Sequence, residues 1–413
     1  MAQQLQPVRG THDILPDDYD RFRHVVDTAR QAAFLFGYRE MATPIFEFTD
    51  VFARSMGETS DVVSKEMYSF TDKGGEGLTL RPEYTAGICR AFISNGLQQH
   101  VPFKVFGWGP MFRFERPQKG RQRQFHQIDV EVIGAPEPQA DVEVISVAAE
   151  ILRRLGILDK CVLELNTLGD PESRVGYRDA LVRYFGSYAD KLSEDSRKRL
   201  EKNPLRILDS KDEGDRALVA HAPLIQEYLT PAAAEFFKAV QDGLTANGVP
   251  FKVSPRLVRG LDYYTHTAFE FTTDMLGAQG TVLAGGRYDG LVEQLGGKPT
   301  PGIGWAGGIE RLVMLSDPKP VLAPTVAIVP IGEKAEVEAV KIAATLRRAD
   351  IAVELAYKGN AGKRFKRADK LGCSHAIVIG DDELAKGVAK VKDLKSGAEA
   401  EVAVATLVTQ LKA

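Results

Sequence analysis

The chain has 413 residues, 44% hydrophobic and 26% charged, with a formal net charge of −3. These proportions fit a soluble globular protein of about two to three domains, able to bury a full core. The slight negative charge excludes a general basic coating, so nucleic acid would have to be held by local patches. Three cysteines, Cys89, Cys161 and Cys373, stand far apart. Their spacing excludes a cysteine-rich zinc site and speaks against a disulfide framework. Met1–Gln6 is polar and lacks the apolar core of a secretion signal. No run approaches the ~18 apolar residues of a membrane span, so the expected compartment is the cytosol.

Asp17–Phe36 repeats apolar residues at Phe22, Val25, Val26, Ala29, Ala33 and Phe36. That spacing predicts a helix stopped by Gly37. An extended segment, Tyr38–Thr43, ends at Pro44. Strand-like runs follow at Lys104–Glu115, Phe125–Ile133, Val162–Leu165 and Thr265–Phe271. Between them, residues 170–250 are rich in charge and helix formers, Ser193–Lys202 among them, and read as a mostly helical insertion. Ser316–Pro324 holds three prolines and reads as a linker. Beyond it, strands at Val326–Val329, Ala352–Leu355 and Ala376–Ile379 alternate with helices at Glu333–Arg348 and Arg364–Leu371. Such alternation predicts a small α/β domain with a largely parallel sheet.

Met111–Gly134 is the most informative stretch. Phe112 and Phe114 alternate with Arg113 and Glu115; Ile128, Val130 and Val132 alternate with Gln127, Asp129 and Glu131. Alternate side chains of a strand point to opposite faces, so each strand has one apolar and one polar face. Between them runs a basic loop with Arg116, Lys119, Arg121 and Arg123, containing a turn-forming Pro117 and Gly120. An ordinary half-solvated hairpin would show the same alternation. Its residue types argue for more. Arginine binds phosphate bidentately, Phe125 offers a stacking surface, and carboxylates accept from ammonium or ring N–H groups.

Phe-Arg-Phe-Glu-Arg (112–116), the basic loop and Arg-Gln-Phe-His-Gln (123–127) resemble motif 2 of class II aminoacyl-tRNA synthetases. Residues 302–312, Gly-Ile-Gly-Trp-Ala-Gly-Gly-Ile-Glu-Arg-Leu, resemble motif 3, and the segment 36–44 is similar to the dimer-forming motif 1. Leu-Val-Arg-Gly-Leu-Asp-Tyr-Tyr (257–264) and Ala-Gly-Gly-Arg-Tyr-Asp-Gly-Leu (284–291) resemble the two signatures of the histidyl-tRNA synthetase family. Arg-Gly-Thr-His-Asp (9–13) and Thr-Leu-Arg-Pro-Glu-Tyr-Thr (79–85) fit the same family. The resemblance spans nearly the whole chain. It implies an α+β fold: a class II antiparallel sheet flanked by helices, a helical insertion and a C-terminal α/β anticodon-binding domain. The expected domains are 1–169 and 251–320 for catalysis, 170–250 for the insertion and 325–413 for the anticodon.

What the resemblance implies residue by residue is specific. Arg113 binds the ATP α-phosphate, and Arg259 is a second cation on the same phosphate; an isolated arginine there could equally be a structural ion pair. Glu115, Arg121, Phe125 and Arg311 complete the ATP site, with Glu115 on the adenine amino group and Phe125 on its face. Glu83, Thr85 and Gln127 hold the α-amino group of histidine. Glu131 and Tyr264 contact its imidazole, with Tyr263 and Tyr288 nearby, and Arg287, Gly285 and Gly286 shape the wall. Gly304, Gly307 and Gly308 are expected to let backbone approach the nucleotide. Mg²⁺ is expected with ATP, held by phosphates and water; no side chain is offered as a metal ligand and no organic cofactor is expected. Arg9, Arg116, Gln118 and Arg123 face the acceptor end of tRNA(His). Lys363, Arg364 and Arg367 of the basic run Lys358–Lys370, interleaved with Tyr357, Asn360 and Phe365, face its anticodon. The expected activity is ATP-dependent ligation of L-histidine to tRNA(His) by a homodimer. Three competing readings are a histidine-binding paralogue without catalysis, a synthetase for threonine, proline or glycine, and a non-enzymatic RNA-binding protein.

Overall fold

A computed structural model describes residues 4–57, 60, 62–118, 120–261, 263–277, 280–319 and 325–412. They group into two compact units, Met1–Lys319 and Pro320–Ala413. Lys119, Asp262 and the end of the proline-rich segment, 320–324, lie outside the described residues.

The first unit starts with helix α1 (Pro16–Leu35), which has proline at its N-terminus, where a missing N–H costs nothing. Its buried stripe is Phe22, Val25, Val26, Ala29, Ala32 and Ala33. Gly37, at φ +82°, turns the chain out of the helix as expected. The strands are β1 (Arg39–Glu40), β2 (Phe46–Phe48), β3 (Tyr68–Thr71), β4 (Gly77–Leu80), β5 (Phe103–Phe112), β6 (Gln124–Ile133), β7 (Val162–Thr167), β8 (Lys252–Val253), β9 (Thr265–Thr272), β10 (Thr281–Arg287) and β11 (Gly302–Gly308). Among the described residues one sheet runs in the order β1-β5-β6-β11-β10-β9-β7-β8, and β2-β4-β3 form a second. The six inner strands of the large sheet pair antiparallel. The two-residue strands at its edges, β1 and β8, pair parallel. The sheet is therefore mixed, with an antiparallel centre.

The period of two divides the sheet cleanly. Phe106, Ile128, Val130, Phe269 and Leu283 point to one face, where α1, α4 (Pro138–Arg154) and α10 (Ile309–Ser316) cover them in one core. Val105, Met111 and Ala268 point to the other, against α3 (Thr85–Ser94) and the tyrosines Tyr84, Tyr263, Tyr264 and Tyr288. Gln127, Asp129 and Glu131 lie on this second face. The remaining short helices are α2 (Thr49–Met56) and α9 (Leu291–Gln294).

Residues 171–246 supply α5 (Pro171–Gly186), α6 (Glu194–Lys202), α7 (Glu213–Val219) and α8 (Pro231–Ala246). Asp170, Ser193, Asp212 and Thr230 cap them by accepting a backbone N–H three residues on. A satellite core of Tyr177, Leu181, Phe185, Leu192, Ile207 and Val219 holds the first three together. Helix α8 behaves differently: Phe237, Val240 and Leu244 join the main core, and Gly243 packs against Val142 of α4.

The second unit has strands β12 (Thr325–Pro330), β13 (Ala352–Leu355), β14 (His375–Ile379), β15 (Val388–Asp393) and β16 (Glu399–Ala403), ordered β13-β12-β14-β15-β16. The first three pair parallel and the last two antiparallel. Helices α11 (Glu333–Arg348), α12 (Ala361–Lys370), α13 (Asp381–Lys386) and α14 (Leu407–Lys412) complete it. Helix α12 begins three residues before the stretch expected from sequence, because Asn360 caps it through the Lys363 N–H.

Candidate active site

The β5–β6 hairpin sets the floor of a cavity of about 500 Å³ on the second face of the sheet. In its register Gly109 lies opposite Gln127, Gly107 opposite Asp129 and Val105 opposite Glu131. A Cβ on Gly107 would come within 2.3 Å of the Tyr84 ring, so the glycine is what admits that ring beneath the polar row. Four arginines from distant parts of the chain line the cavity: Arg113 and Arg121 from the hairpin, Arg259 from the loop after β8, and Arg311 from the first turn of α10. Glu83, Thr85, Glu115, Phe125, Gln127, Tyr263, Tyr264, Glu270, Glu310 and His12 line it with them.

Arg113 donates its Nε to the Pro82 carbonyl at 2.9 Å and lies 5.3 Å from the Phe125 ring centre. Among the described residues no carboxylate forms an ion pair with it. Arg121 is paired to Glu115 at 2.9 Å. Arg259 is paired to Glu270, and burial, which opposes its charge, is outweighed by Glu270 and the neighbouring tyrosines. Arg311 donates to the carbonyls of Gly120 and Thr281. Burial and the nearby Arg121 lower its pKa, as expected where cations crowd without enough anions. Two buried cavity atoms have no partner among the described residues: Arg259 Nε, a donor, and Gln127 Oε1, an acceptor. Leaving such groups unpaired costs about 1–3 kcal/mol each, which an anionic and an amino-bearing ligand would recover.

From Glu83 and Thr85 on the wall the polar network runs back to Asp129 and Glu131, which are fully buried. Glu83 accepts the Thr85 and Ala86 N–H groups at 2.8 Å each, closing the start of α3. Glu131 accepts from the Thr85 hydroxyl at 2.6 Å and from the Tyr288 hydroxyl at 2.5 Å. Burial raises its pKa to about 8 despite those two donors. Asp129 is fully buried, neither of its oxygens is bonded, and burial followed by the charges of Glu131 and Glu83 pushes its pKa well up.

Comparison with known proteins adds a second line. The histidyl-tRNA synthetase family model matches residues 10–169 and 186–312, and an anticodon-binding domain model matches 325–413. The chain is 60% identical to the histidine–tRNA ligase of Gluconacetobacter diazotrophicus over 97% of this chain and 96% of that protein. The chain belongs to the histidyl-tRNA synthetase family. The Rhodospirillum rubrum histidine–tRNA ligase of the same family is 59% identical over 98% and 97% of the two chains. The apo Staphylococcus aureus histidyl-tRNA synthetase superposes with a TM-score of 0.85 at 35% identity, covering 99% of this chain and all of that one.

Within this family frame, the cavity brings together Glu83, Thr85, Arg113, Glu115, Arg121, Phe125, Gln127, Arg259, Tyr263, Tyr264 and Arg311. Glu131 and Tyr288 do not line it; they bond to each other one layer behind. Arg287 does not shape the wall either, because it is fully buried in an ion pair with Asp141. Gly304 makes room for a side chain instead of a nucleotide: a Cβ there would lie 1.6 Å from Glu131 Oε2. Gly285 packs on the Gly304 carbonyl and Trp305, and Gly286 on Thr267 and Tyr264. Arg9, Arg116 and Gln118 are exposed, and Arg123 is half-buried over the Phe114 ring. In the second unit Lys363 and Arg367 are exposed, whereas Arg364 is buried, paired to Glu336 at 2.6 Å and bonded to the Pro330 carbonyl. Arg364 therefore leaves the tRNA-facing set. Sequence reasoning missed Glu270, Glu310, Thr281 and His12. His12 and Glu310 lie within the quoted segments 9–13 and 302–312, which was the one signal that could have found them.

Proposed function

We propose that this chain joins L-histidine to tRNA(His) through a histidyl-adenylate formed in the cavity of the first unit. The convergence of Arg113, Arg121, Arg259 and Arg311 on one cavity, with Arg259 Nε and Gln127 Oε1 unpartnered, carries this reading. ATP lies along the arginines, its adenine against Phe125 and Arg311, its α-phosphate between Arg113 and Arg259. Histidine lies beyond, its ammonium group on Glu83, Thr85 and Gln127 and its ring toward Tyr264 and Tyr263. Glu131 and Tyr288 hold that pocket from behind.

The histidine carboxylate attacks the α-phosphorus in line, and pyrophosphate leaves. Negative charge grows on the phosphoryl oxygens, and preplaced guanidinium groups stabilise it without reorganising. The terminal ribose hydroxyl of the tRNA then attacks the adenylate carbonyl carbon. AMP leaves, and a phosphate oxygen of the adenylate takes the hydroxyl proton. Among the described residues no group of three or more His, Cys, Asp or Glu side chains converges to hold a metal. Mg²⁺ is proposed to enter with the substrate as MgATP, held mainly by phosphates and water.

The hairpin loop, with Arg116, Gln118, Arg123 and Arg9, is proposed to face the acceptor end, and Lys363 and Arg367 the anticodon. Exposed Phe34, Leu35, Ile45, Phe46, Phe48 and Phe70 support a homodimer built on the motif 1 region. No helix among the described residues is long and apolar enough to cross a membrane; the cytosol is the proposed compartment. ATP–pyrophosphate exchange with each amino acid in turn tests the assignment. Histidine alone is expected to support exchange. A chain that only binds histidine, or only RNA, would support none, and exchange with threonine, proline or glycine would reassign the substrate.

A further inference from the structure

Two of the four cavity arginines come from stretches that share no secondary-structure element. Arg259 lies in the loop after β8, and Arg311 in α10. Side by side on the cavity wall, Glu270 of β9 and Thr281 of β10 join them. Arg311 Nη1 donates to the Thr281 carbonyl. The Thr281 hydroxyl donates to Glu270 Oε2 at 3.0 Å. Arg259 Nη1 donates to Glu270 Oε1. Thr281 thus holds Arg311 directly and Arg259 through Glu270. It stands at a β-bulge, where the β9–β10 register slips between Thr281 and Leu283. Bulges re-aim side chains that a regular ladder would send elsewhere.

We infer that Thr281 and Glu270 are positioning residues that lock Arg259 to Arg311, so that both guanidinium groups are set before ATP binds. This rests on reading the cavity as the nucleotide site. The physical reason is the second oxygen of Glu270. Arginine and carboxylate prefer a bidentate fork. By bonding to Oε2, the Thr281 hydroxyl fixes the rotation of the Glu270 carboxylate, and in that setting only Oε1 meets Arg259. Arg259 Nε has no partner among the described residues, and an anion in the cavity would supply one. Without that hydroxyl, Glu270 is free to take Arg259 with both oxygens and draw it off the phosphate.

The test is single-turnover histidyl-adenylate formation by the full chain, with rates normalised to the titrated active-site concentration. Thr281→Val removes the hydroxyl but keeps the carbonyl that holds Arg311. It is expected to lower the rate per active site about tenfold, the effect of one bond to a charged group. Thr281→Ser is expected to restore the rate, and Glu270→Gln to lower it by a similar factor. Should Thr281→Val prove poorly folded, Glu270→Gln asks the same question from the other end. The decisive measurement is a double-mutant cycle. In an Arg259→Ala background, Thr281→Val is expected to cause no further loss, because the residue it orients is gone. A full-rate Thr281→Val, or a loss that multiplies undiminished through Arg259→Ala, overturns the inference while leaving the nucleotide site intact. A full-rate Arg259→Ala overturns the nucleotide-site reading itself, and the inference with it.

Discussion

Glu131 shows how one buried side chain imposes a pH dependence on the whole unit. Its pKa is raised from an ordinary 4.5 to about 8, first by burial. The folded state therefore holds the proton that the unfolded chain releases. The resulting stabilisation is full below about 4.5 and is lost as pH rises through about 8. Glu131→Gln keeps partners for Thr85 and Tyr288 but removes the titration. Thermal melting of both proteins at about pH 6 and about pH 9 checks this. The wild type is expected to lose more stability across that interval than the variant; parallel losses would show that Glu131 does not titrate there. Gly304 tests the same carboxyl from the other side. A methyl at position 304 would meet both Glu131 Oε2 and the Val130 carbonyl, so neither rotation nor a small shift relieves it. Gly304→Ala is expected to cost roughly 1–3 kcal/mol by denaturant unfolding and to raise the KM for histidine more than that for ATP. Unchanged unfolding would mean the layer behind the pocket is soft.

Elements differ in how openly the sequence declares them. Helix α1 was legible because apolar residues repeat at helical spacing and Gly37 closes it; of the six read, Phe22, Val25, Val26, Ala29 and Ala33 are buried, and Phe36 lies past the helix end. The hairpin was legible from strict alternation. Its first strand nevertheless ends at Phe112, short of the expected Glu115, because the backbone then leaves the ladder: the Phe114 N–H donates to the Glu66 carbonyl and the Arg123 N–H to the Gly10 carbonyl. Strand β8 escaped notice because two residues cannot show a period, whereas β1 falls within the extended segment read at Tyr38–Thr43. β15 and β16, in which small apolar residues are mixed with charges, were not read from the sequence. Thr281 and Glu270 were invisible for another reason: their chemistry exists only when β9 and β10 lie side by side. In helix α12 the charge run concealed a face. Arg364 and Ala368, four residues apart, are the buried pair, while Lys363 and Arg367 face outward. Arg364→Ala is therefore expected to destabilise the second unit by about 1–3 kcal/mol through the lost Glu336 and Pro330 bonds. Lys363→Ala is expected to leave stability within about 0.5 kcal/mol and to weaken tRNA binding instead. Urea unfolding and filter binding of both variants separate these outcomes; equal effects on stability would place Lys363 in the fold as well.

At the scale of the whole molecule, the proposed reading divides the substrates between the two units. Every side chain of the cavity proposed for ATP and histidine lies between residues 12 and 314. The second unit closes its own core with Val326, Ile328, Ile342, Leu346, Ile377 and Ile379. It exposes Tyr357 almost completely, at 99%, beside Lys363 and Arg367. An exposed aromatic ring next to cations is costly in water but useful against an unstacked base. Removing residues from Thr325 onward is therefore expected to spare much of histidine-dependent pyrophosphate exchange while weakening tRNA charging. Electrostatics adds a sharper readout. Each phosphate released from a single-stranded contact lowers the slope of log affinity against log salt by about 0.7. If Lys363 and Arg367 each neutralise one phosphate, the shortened chain loses about 1.4 from that slope relative to the full chain. An unchanged slope and affinity would mean that the second unit does not hold the tRNA, and that the recognition lies with the hairpin loop alone.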